Sequence, residues 1–80
     1  MAAPVIVAQP NGPITSVQNQ VYTTPGRSLY HFLFADGATW VASNDAAFGT
    51  SVSLTNGTDL ARMFFKCTSG NGVFNLVKSG

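Results

Sequence analysis

Apolar and polar positions alternate through most of this chain, and the alternation changes phase at short clusters of Gly, Pro, Asn and Asp. That is the pattern of short β-strands joined by tight turns. The densest alternation runs from Ser28 to Ser43, SLYHFLFADGATWVAS, with Asp36-Gly37 in its middle. A type I′ turn needs positive φ at both central residues, which Asp and Gly tolerate, so the stretch predicts a β-hairpin. A two-residue loop there pairs Phe34 with Thr39, Leu33 with Trp40, Phe32 with Val41 and His31 with Ala42. One face then carries Leu29, His31, Leu33, Trp40 and Ala42, and the other Tyr30, Phe32, Phe34, Thr39 and Val41. Both faces are apolar, which predicts a hairpin covered on both sides, by its own chain on one and by another chain on the other.

Around this centre the pattern gives further elements. Residues 1–13 hold three of the four prolines and Gly12, which excludes a helix and predicts an extended arm. Within it Val5 to Val7 can add as an edge strand, to its own sheet or to a neighbour's. Ile14 to Thr23 alternates as one strand that Thr24-Pro25-Gly26 ends. Thr50 to Thr55 gives a short strand, and Asn56-Gly57 a turn followed by either further turn or a single helical turn capped by Thr58 or Asp59. Met63 to Thr68 and Val73 to Lys78 read as a second hairpin about Asn71-Gly72, with Met63, Phe65, Cys67, Phe74 and Leu76 on one face. The expected fold is all-β: a small antiparallel sandwich or barrel of six to seven short strands, residues 14–80, preceded by an extended arm, residues 1–13.

Composition turns this fold towards assembly. Charged residues are 9% of the chain, against roughly 25% in ordinary soluble domains, and the formal net charge is +1. Such a surface does little to keep copies apart. An 80-residue chain with a single cysteine also lacks the disulfide and thiolate-zinc staples that stabilise small folds. Arg27, Arg62, Lys66 and Lys78 are separated in sequence and predict weak affinity for nucleic acid. No apolar run approaches the roughly 18 residues a membrane span needs, and the first ten residues lack the basic start of a signal peptide.

Candidate chemistry is sparse. His31 is the lone histidine, in mid-strand, with no nucleophile and orienting carboxylate in a recognisable constellation, and reads as a structural or interface residue. Cys67 alternates in phase with Met63 and Phe65 and reads as a small buried hydrophobe. Asp36, Asp45 and Asp59 each lie in or beside a turn, where aspartate binds backbone donors. Ser69-Gly70-Asn71-Gly72 lacks the Lys and helix of a P-loop, and the sequon Asn56-Gly57-Thr58 reads as a turn. These readings predict no enzyme, no cofactor and no metal. Tyr30, Phe32, Phe34 and Trp40 could stack on bases or sugars, but without interleaved basic residues they fit a core or subunit interface better.

The proline-rich start, the aromatic strands ending Thr39-Trp40-Val41-Ala42-Ser43-Asn44-Asp45, and the closing stretch Phe65-Lys66-Cys67-Thr68-Ser69-Gly70-Asn71-Gly72-Val73 together resemble small all-β bacteriophage virion proteins of the capsid decoration or cement type. That resemblance implies a non-enzymatic module, made in the host cytoplasm and carried on the virion, whose partners are copies of itself and a major capsid or other virion protein. The side chains expected at its interface are Val5, Val7, Tyr30, Phe32, Phe34 and Trp40. The alternative is a small β module binding carbohydrate or single-stranded nucleic acid on the aromatic face.

Overall fold

A computed structural model describes residues 5–34, 39–70 and 72–79. Among them nine short strands form: β1 Val5–Val7, β2 Ile14–Ser16, β3 Val21–Thr23, β4 Tyr30–Phe34, β5 Thr39–Ser43, β6 Val52–Ser53, β7 Thr58–Leu60, β8 Phe64–Ser69 and β9 Gly72–Lys78. They make a five-stranded sheet in the order β1-β3-β8-β5-β6 and a four-stranded sheet in the order β2-β9-β4-β7. All pairings are antiparallel except β1 with β3. The fold is an all-β, sandwich-like pair of sheets with no closed barrel.

The chain changes sheet at almost every step, and this corrects both expected hairpins. β4 pairs with β7 and β9, whereas β5 pairs with β6 and β8, so the two halves of the Ser28–Ser43 stretch lie in opposite sheets. The Asp36-Gly37 turn itself lies outside the described residues. β8 and β9 likewise lie in opposite sheets, and Gly72 is the first residue of β9 rather than part of a two-residue loop. Among sequence neighbours, β5 and β6 alone form a hairpin. Its loop is held by Asp45, whose carboxylate accepts from the Ala47 and Gly49 amides at 3.1 and 3.4 Å.

The Ile14–Thr23 strand is also split. Asn19 adopts φ 67°, a left-handed conformation that Asn tolerates, and its amide donates to the Cys67 carbonyl at 2.7 Å. The chain thereby passes from one sheet to the other. After Asn56-Gly57 it forms neither a second turn nor a helical turn but β7, which pairs Asp59 with His31.

Two apolar faces on one supposed hairpin now have a physical explanation. Tyr30 and Phe32 point inward from one sheet and Trp40 and Ala42 inward from the other, so each strand has one buried row. Phe65, Cys67, Phe74 and Leu76 are buried together as the alternation predicts, but they meet across the sandwich rather than side by side. At the centre, Phe32 and Phe74 from the smaller sheet meet Trp40 and Phe65 from the larger. All six ring pairs have centroids within 6.3 Å, inside the range of favourable aromatic packing. Trp40 Nε1 is buried without a hydrogen-bond partner among the described residues, so packing holds this ring.

Candidate interaction surface

Three β-branched residues make β1 a strand, and its register with β3 sets Val5 beside Val21, Ile6 beside Tyr22 and Val7 beside Thr23. β1 is an end strand of its sheet, so one row of its backbone groups has no strand partner among the described residues. Its side chains are exposed by 38, 44 and 51% in turn. Residues 1–26, which include β1, β2 and β3, contain no Asp, Glu, Lys, Arg or His. At the opposite edge of the same sheet Val52 of β6 is 64% exposed. Charged side chains and bulges are the usual guards of an open edge, and β1 carries no charge.

The segment after β1 is fastened to both sheets. The Ala8 amide donates to the Thr23 carbonyl at 3.0 Å, and Ala8 is itself buried in the core cluster. Asn11 turns the chain with φ 66°, and its amide donates to the Leu76 carbonyl at 2.8 Å. The Gly12 amide then donates to Asn75 Oδ1 at 2.9 Å, before β2 joins β9.

Of the six side chains expected at an interface, Val5 and Val7 lie on this exposed edge and Phe34 is half-buried. Tyr30, Phe32 and Trp40 are instead core residues, which removes them from any surface role and removes the expected stacking platform with them. A cleft of about 370 Å³ remains outside that core, lined by Pro13, Leu33, Phe34, Asn56, Val73 and Asn75 among others.

His31 and Cys67 are not brought together. His31 is on the outer face of the smaller sheet, where its Nδ1 meets Asp59 Oδ1 across the β4–β7 pair, both side chains being 45% exposed. An exposed pair of this kind contributes at most about 1 kcal/mol. Cys67 is fully buried in the other sheet, with its thiol directed at the Gly70 and Ser69 carbonyls at 3.0 and 3.4 Å. Among the described residues no three of His, Cys, Asp and Glu converge as metal ligands, and no helix is long and apolar enough to cross a membrane.

The cations are less dispersed than their sequence positions suggest. Tyr30, at the start of β4, pairs with Leu60, the end of β7, and with Lys78, the end of β9. Arg27 precedes Tyr30, Arg62 follows Leu60, and the Arg62 amide donates to Thr24 Oγ1 at 2.7 Å. The backbone therefore brings Arg27, Arg62 and Lys78 to one end of the sandwich, all three exposed and none in an ion pair among the described residues. Lys66 lies apart, with its Nζ 4.4 Å from the centre of the Phe48 ring. Three phosphate contacts limit the salt dependence of binding to DNA to a log–log slope of about −3. A salt titration with duplex DNA should accordingly give weak binding that vanishes near physiological ionic strength. A steeper slope with submicromolar affinity would identify a nucleic-acid protein. Comparison with protein-family models, with curated proteins and with solved structures gives no match.

Proposed function

We propose that this chain is a non-enzymatic assembly protein, a virion component that binds and stabilises a capsid as a decoration or cement protein, in contact with copies of itself and a major capsid or other virion protein. The observation that carries the reading is the open, uncharged β1 edge with Val5, Ile6 and Val7 all exposed. An extended strand on such an edge gains main-chain hydrogen bonds and covers apolar surface at once. The low charge of the chain leaves little repulsion between copies. The alternative, a carbohydrate- or single-strand-binding module built on Tyr30, Phe32, Phe34 and Trp40, is weakened because three of those four rings are interior.

The test is the light-scattering mass of the purified protein across concentration, alone and with capsids of the virus that encodes it. The expected result is a mass that rises with concentration and co-sedimentation with capsids. Val7→Lys places a charge on the most exposed residue of β1. It should weaken self-association by about tenfold or more while changing folding stability by under about 1 kcal/mol. A wild-type chain that stays monomeric at high concentration and ignores capsids would overturn the assignment.

A further inference from the structure

Three Asn-Gly dipeptides occur in this chain, at 11–12, 56–57 and 71–72. Asn-Gly is the pair most prone to spontaneous deamidation, because a following glycine has no Cβ to hinder attack by its own amide nitrogen. In that reaction the glycine nitrogen bonds to the Asn Cγ, and the Cγ–Nδ2 bond breaks. Ammonia leaves with the proton the glycine nitrogen gives up, and the product is a cyclic imide. Water then adds to either imide carbonyl and opens the ring to aspartate or, with an extra methylene in the backbone, to isoaspartate. The step requires the glycine N–H to be free and the Asn side chain to turn towards it.

In the folded chain both described glycine nitrogens are engaged. The Gly12 amide donates to Asn75 Oδ1 at 2.9 Å, and the Gly57 amide to the Phe32 carbonyl at 2.7 Å. Asn56 is held a second time, since its Oδ1 accepts from the Phe34 amide at 3.1 Å. The acceptors lie on β9 and β4, the two inner strands of the four-stranded sheet. We infer that Asn11 and Asn56 are latent deamidation sites, held unreactive by hydrogen bonds from Gly12 and Gly57 to that sheet, with the Asn75 carboxamide as the local guard of Asn11. Modification then proceeds through transient opening of each contact, and its rate reports how often that contact opens. At Asn56 the isoaspartate product is self-locking. One added backbone methylene between Asn56 and Gly57 shifts the Gly57 amide off the Phe32 carbonyl, so the sheet that opened does not close again in register.

The experiment is a time course of peptide mapping by mass spectrometry at mildly alkaline pH, on the folded chain and on the same chain in urea. Asn11 and Asn56 should each convert at least about tenfold more slowly in the folded chain. Asn75→Leu keeps the bulk of the side chain and removes the acceptor. It should accelerate conversion at Asn11 and leave Asn56 unchanged, whereas Asn75→Asp, which retains an oxygen acceptor, should keep Asn11 slow. Equal rates in folded and unfolded chains would overturn the inference, and so would a folded Asn75→Leu protein in which Asn11 stays as slow as in the wild type.

Discussion

Phe32→Ala should abolish cooperative unfolding, while Leu33→Ala, one residue along the same strand, should cost under about 1 kcal/mol. Phe32 is fully buried with ring neighbours on four sides: Phe34 at 5.4 Å, Trp40 at 5.1 Å, Phe65 at 5.2 Å and Phe74 at 5.6 Å. Truncating a buried Phe to Ala costs about 3–5 kcal/mol. A domain of this length has a total stability of roughly 4–12 kcal/mol. Leu33 faces outward on the smaller sheet and is 38% exposed. The lone tryptophan is the reporter, because Trp40 packs edge-on against Phe32 and its fluorescence should shift to the red in the Phe32→Ala chain. A double-mutant cycle between Phe32 and Trp40 would add the topology. In a Ser28–Ser43 hairpin these two rings would sit on opposite faces and show no coupling, whereas in the sandwich they should couple by about 0.5–1.5 kcal/mol.

Removal of residues 1–13 should destabilise the fold by about 3 kcal/mol or more, and not merely detach an arm. The deletion takes away the pairing of β1 with β3 and the amide bonds from Ala8, Asn11 and Gly12, each worth about 0.5–1.5 kcal/mol net. It also removes a buried Ala8 from the core and uncovers Val21 and Tyr22 beside it. The composition of the segment predicts the opposite order, with assembly lost well before folding. Thermal or urea melts of full-length and truncated chains decide between the two: an unchanged midpoint would restore the free-arm description. Val7→Lys is for this reason the cleaner probe of assembly, since it leaves every one of these bonds in place.

Much of the molecule was legible from side-chain alternation, because period 2 follows from strand geometry whatever the strand pairs with. That is why Tyr30 with Phe32, Trp40 with Ala42, and Phe65, Cys67, Phe74 and Leu76 were each assigned to a common row and are buried together. Pairing was not legible. Asn-Gly and Asp-Gly supply positive φ wherever the chain must reverse, and a corner between two packed sheets needs that reversal as much as a hairpin does. Position 19 carried no distinct signal, as an Asn with φ 67° splits what alternation reads as one strand. The grouping of Arg27, Arg62 and Lys78 was hidden for a similar reason, since it follows from the register of β4 with β7 and β9. The β1 edge was legible, because Val5-Ile6-Val7 between prolines has few other uses.

The crossing of the chain between sheets at nearly every strand has a kinetic consequence. A fold made of sequential hairpins can begin wherever one turn closes, but here the inner strands β4 and β9 meet only after the intervening chain is present. Until residues 72–78 are available, β2 and β4 have no strand between them and the four-stranded sheet has no centre. Closure of such long loops before any compensating contact forms places this topology among the slow folders. During synthesis, the incomplete chain exposes the Phe32, Trp40 and Phe65 rings to whatever is nearby. A sequence with so few charges offers little protection over that interval, so chaperone demand and inclusion-body formation should depend on the rate of translation more than on the final stability of the sandwich.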